Sequence, residues 1–77
     1  MKPQEIVDYL EKRGLSRRYL ADKLGVTEQA ISFWLKQGWI TYERQCHVQL
    51  ELPRSGLVAR WEDVPEDKRT IDEERAA

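Results

Sequence analysis

Within six residues, Glu28, Gln29, Ser32 and Phe33 bring together a carboxylate, a carboxamide, a hydroxyl and an aromatic ring. These groups suit the reading of base edges in a DNA major groove. A Gln amide can grip adenine at N6 and N7, a Glu can accept from cytosine N4, a Ser suits several bases, and an apolar ring can touch a thymine methyl. Each also has an ordinary alternative. Glu28 in a first helical turn would complement the helix dipole, and Phe33 could pack sideways against a neighbouring helix. A second set is cationic or hydroxylic. Arg17 and Arg18 would open a helix at its positive end, where a basic side chain is unfavourable unless an anion such as a phosphate offsets it. Thr27, Lys36 and Arg44 complete the candidate contacts to a DNA backbone, with Glu43 offering Arg44 a simple ion pair instead.

For these residues to act together, two short helices must meet across a tight turn. In the run from Ser16 to Gly38, Ser16 and Thr27 are N-cap residues, and Gly25 and Gly38 are suited to left-handed helix ends. Between the caps, Leu20, Ala21, Leu24, Val26, Ile31, Trp34 and Leu35 repeat at helical spacing. This pattern predicts helices over about 17–24 and 28–37, with Ala21 small enough to allow close approach. It is the pattern of a helix-turn-helix whose second helix enters a groove with its N-terminal turns. A preceding helix is predicted from Pro3, favoured at a first helical position, to about Arg13. Its apolar face is Ile6, Val7 and Leu10. A fourth, capped by Thr41, is predicted from Tyr42 to about Leu52, stopping before Pro53. Its core candidates are Tyr42, Val48 and Leu52, with Cys46 or Leu50 beside them.

Beyond Pro53 the signals weaken. Arg54-Ser55-Gly56 marks a turn, and residues 57–61 fit either a short strand or irregular packing before a single turn at 62–64. The expected fold is therefore all-α, a small domain of four to five helices, with a short C-terminal strand pair as the alternative. The domain is expected to span residues 1–65, followed by an acidic, disordered tail over 66–77 in which Ile71 is the only large apolar residue.

The chain has 77 residues, enough for one small core. Its net charge of −1 conceals a division. Residues 1–60 hold ten Lys or Arg against seven Asp or Glu, a balance of +3, and residues 61–77 hold three against seven, a balance of −4. The positive field over the globule is modest, so phosphate attraction should be weaker than in strongly basic binders. A single cysteine, Cys46, permits no internal disulfide, and with only His47 beside it makes no metal site. No nucleophile–base arrangement and no phosphate-cradling glycine loop is present. The reading is of a non-enzyme with no cofactor, no metal and no small-molecule ligand. It has no membrane segment and is placed in a reducing cytoplasm.

The string LADKLGVTEQAISFWLKQGWI, followed by ERQCHVQLE and SGLVARWEDVPED, resembles the Cro-type repressors of lambdoid bacteriophages and the related YdaS-like bacterial regulators. The likeness covers roughly residues 3–67. It implies base contacts from Glu28, Gln29, Ser32 and Phe33, and backbone contacts from Arg17, Thr27 and Lys36. The chain departs from many relatives in carrying Thr41 where they have a proline, which leaves that corner to a helix cap. The implied function is a double-stranded DNA-binding repressor that occupies an operator overlapping a promoter. So small a domain needs two copies, on half-sites about 34 Å apart. A weak homodimer, completed on DNA, is therefore expected. Leu50, Leu52, Leu57, Val58 and Trp61 are its candidate pairing surface, unless they cap the monomer's own core. The rival reading is a protein-interaction module that uses the same helical face, with Phe33 as its apolar anchor.

Overall fold

The computed structural model describes residues 1–69. Four α-helices are present, α1 (Pro3–Lys12), α2 (Arg17–Leu24), α3 (Glu28–Gln37) and α4 (Tyr42–Glu51), followed by 3-10 turns at Trp61–Asp63 and Glu66–Lys68. The domain is all-α, and no strand occurs among the described residues.

Local chemistry sets the helix ends. The hydroxyls of Ser16, Thr27 and Thr41 each accept a backbone N–H three residues on, from Tyr19, Ala30 and Arg44, each at 3.1 Å. Such caps satisfy donors that the first turn leaves unpaired and contribute about 1 kcal/mol each. Gly25, at φ 70°, and Gly38, at φ 91°, close α2 and α3 in the left-handed region that a Cβ would strain. At α1 the Glu5 carboxylate accepts from the Lys2 N–H at 2.6 Å, and the helix ends at Lys12, one residue short of the predicted limit.

α2 packs on α3 and α4, and α1 packs on α3. Ile6, Val7 and Leu10 meet Leu20, Ala21 and Leu24 of α2, Ile31 and Trp34 of α3, and Val48 in one apolar cluster. Ile40 brings the α3–α4 link into the same core. The expected pairing surface needs correcting. Leu52 belongs to this core, 5 % exposed, and supplies no pairing surface. Leu57 leans half-buried against the cluster, while Trp61 stacks on Tyr42 with ring centroids 4.4 Å apart and planes 6° from parallel. Of the five apolar residues assigned to pairing, only Leu50 (76 %) and Val58 (57 %) are well exposed.

The strand alternative fails for an identifiable reason. Residues 57–60 lie alongside α4, and two of their backbone donors bond glutamine side chains there, while the Leu57 N–H donates to Ser55 Oγ at 3.0 Å. The Ala59 N–H donates to Gln49 Oε1 and the Arg60 N–H to Gln45 Oε1, each at 2.8 Å. Side-chain amides on one helix thus take the place of a ladder partner.

Gln45 is fully buried. Its Nε2 donates to the Ile40 carbonyl at 3.3 Å, and its Oε1 also accepts from the Met1 α-ammonium at 2.7 Å. That ammonium donates to the Val58 carbonyl at 3.0 Å and pairs with Asp63 at 2.9 Å. The Asp63 carboxyl is held below its usual value near 3.8, chiefly by the hydrogen bond from the terminal ammonium, with burial opposing the shift. Of the segment read as a tail, residues 66–68 form the second 3-10 turn, and Arg69 Nε donates to the Val64 carbonyl at 2.6 Å. The rest of it, including Ile71, lies outside the described residues.

Candidate nucleic-acid interface

The placement of Ile31 and Trp34 decides what α3 presents. Ile31 is 1 % exposed and Trp34 9 %, so this face of the helix is fixed in the core. On an α-helix, residues three and four apart share a face. Anchoring 31 and 34 therefore turns Glu28, Gln29, Ser32, Phe33 and Lys36 outward, and all five are exposed. Phe33 does not pack sideways: it is 60 % exposed. The four side chains proposed for base reading thus form one open surface, entered from the capped N-terminus of α3.

The cationic set surrounds this surface without forming a single patch. Arg17 and Arg18 stand at the start of α2, both exposed. Arg17 reaches across the turn, and its Nη1 donates to Ser32 Oγ at 3.4 Å. Arg18 makes no hydrogen bond to α3 among the described residues. Thr27 uses a hydroxyl lone pair to cap α3, which leaves its O–H proton for an external acceptor. At the other end of the face, Lys36 is exposed in the last turn of α3.

Arg44 is half-buried, with its guanidinium 5.4 Å from the Trp34 ring centroid. A cation over an indole face is attracted by the ring quadrupole, so Trp34 holds Arg44 at the α3–α4 corner while its other face fills the core. The sequence offered Arg44 a phosphate or an ion pair with Glu43 and gave no sign of Trp34, because that contact depends on how two helices cross. A shallow groove lies beside it, between Phe33, Gln37, Trp39 and Thr41. The Arg17–Ser32 bond likewise spans a turn and has no signature in local spacing.

Cys46 is a half-buried free thiol, and His47 Nε2 lies 3.7 Å from Glu51, one turn along α4. Among the described residues no three His, Cys, Asp or Glu side chains gather as metal ligands, and no helix is long and apolar enough to cross a membrane.

Comparison with known proteins matches residues 6–44 to the family described as helix-turn-helix. This stretch is just over half of the chain and includes all of α2 and α3. Neither the curated proteins nor the solved structures provide a match.

Proposed function

Because the chain belongs to the helix-turn-helix family, which makes it a DNA-binding transcription regulator of a typically non-enzymatic kind, we propose that it acts as a Cro-type repressor. Residues 1–65 are the DNA-binding unit. The observation that carries this reading is the open face of α3, with Glu28, Gln29, Ser32 and Phe33 opposite the buried Ile31 and Trp34. In this reading Gln29 pairs with an adenine, Ser32 and Glu28 contact neighbouring base edges, and Phe33 meets a thymine methyl. Arg17, Arg18, Thr27, Lys36 and Arg44 hold phosphates on either side. Two copies occupy half-sites one helical turn apart, and Leu50 and Val58 remain exposed for weak pairing between them. Occupying a promoter-overlapping operator in a bacterial cytoplasm then excludes polymerase.

Gel shifts at two salt concentrations test the reading. If a dimer neutralises about four to six phosphates, affinity should fall by roughly a hundredfold or more between 50 and 200 mM salt. The exposed Phe33 would also suit a protein partner, and an affinity that barely moves with salt would favour that reading instead.

A further inference from the structure

The two arginines that open α2 are adjacent in sequence, similarly exposed and chemically identical, yet they point to different tasks. Arg18 makes no bond to α3 among the described residues and is free to meet a phosphate along the edge of the helix pair. Arg17 is drawn across the turn, with its Nη1 donating to Ser32 Oγ at 3.4 Å. Ser32 lies one helical turn beyond Gln29 on the same open face. The Arg17 head group therefore sits beside the base-reading row, level with its second turn. A guanidinium carries five N–H donors in a rigid planar fork. One donor held by Ser32 keeps the head group beside the row and leaves the others for a further acceptor pair. The pair that matches such a fork in a major groove is guanine O6 and N7.

We infer that Arg17 is a specificity-determining residue that reads a guanine, with Ser32 as the positioning residue that aims it. This inference rests on the DNA-binding reading above and deepens it, moving Arg17 from the backbone contacts to the base contacts. It also gives Ser32 a definite task, because a hydroxyl accepting from Arg17 can still donate its own proton to a base. The half-site is then expected to contain a guanine next to the adenine read by Gln29, on the side toward α2.

The test is selection from a random duplex pool with the full chain, followed by affinity measurements on the selected site. The wild type should enrich a guanine that Arg17→Ala no longer prefers, with a loss of about 5- to 150-fold on the selected site and little loss where that guanine is replaced. Arg18→Ala should weaken all sequences alike. Replacing the guanine by 7-deazaguanine, which lacks the N7 acceptor, should cost the wild type roughly tenfold and Arg17→Ala nothing. Ser32→Ala should blunt the guanine preference several-fold. If Arg17→Ala weakens every sequence equally and leaves the selected bases unchanged, Arg17 is a phosphate contact and the inference is overturned. An undiminished guanine preference in Ser32→Ala overturns the positioning role alone. A wild type that enriches no sequence fails at the DNA-binding reading itself, an outcome separate from either, and takes this inference with it.

Discussion

The α2–α3 pair and the cluster joining Met1, Gln45 and Asp63 hold the same small domain together by opposite means. In the helix pair, apolar side chains repeat at helical spacing, and each end is closed by a residue next to it in sequence: Ser16, Gly25, Thr27 and Gly38. In the polar cluster, the chain's first residue meets side chains 44 and 62 positions away through hydrogen bonds and an ion pair, with Gln45 fully buried at the centre. The first arrangement turns a polar face outward for a partner. The second turns polar groups inward and uses them to fasten the extended segment 57–60 and the 3-10 turn after it onto α4. A buried amide and a buried ammonium are tolerable only when their hydrogen bonds are made, so this second region should be the more brittle of the two.

The largest effect is expected in the helix pair. Trp34→Ala should destabilise the fold by about 3–5 kcal/mol through the cavity it leaves, seen as a lower midpoint in urea. The substitution also releases Arg44. A Trp34→Ala chain that stayed fully folded but lost DNA binding would mean that α3 is rotated from the orientation described. Next comes Gln45→Ala, which removes the shared acceptor of Met1 and Arg60 and should cost about 3 kcal/mol. Hydrogen exchange should rise at residues 57–64 well before it rises in α2 and α3. Equal loss of protection throughout would show that the two regions are one cooperative unit.

Smaller effects separate function from stability. Gln29→Ala should leave the melting curve unchanged and cost about 1–3 kcal/mol on the selected DNA site, with relaxed preference at one base pair. A uniform loss on all sequences would show that Gln29 only positions the protein. The smallest expected effect is Asp63→Asn, about 1–2 kcal/mol at neutral pH. The folded-state pKa of Asp63 is depressed, so its contribution is fully present above its usual value near 3.8 and is lost as pH falls through the lower folded value. Wild type and Asp63→Asn should therefore converge in stability below that range. A difference that persisted in strong acid would assign the effect to packing and not to the ion pair.

Much of the helix pair is readable in one dimension because its causes are local. Caps act over three residues and apolar faces repeat every three to four, so the outward turn of Gln29 and Ser32 follows once Ile31 and Trp34 are taken as anchors. Residues 57–61 are not readable in that way. The backbone donors of Ala59 and Arg60 bond Gln49 and Gln45, one turn apart on α4, and glutamine at such spacing is as common on a wet surface. Leu52 and Leu57 looked available for pairing for a related reason, since apolar type alone does not distinguish a core residue from an interface residue. The Arg17–Ser32 and Arg44–Trp34 contacts depend on helix crossing, which no periodicity encodes.

The sequestered amine of Met1 has a practical corollary for handling the protein. Acylating reagents that normally mark an α-amine ahead of lysine near neutral pH should react with it slowly, so that labelling falls mainly on lysines. A purification handle joined ahead of Met1 would convert the amine to an amide, abolishing its charge and two of its three protons. Handles and fluorophores intended to leave the fold intact are therefore kept away from this amine.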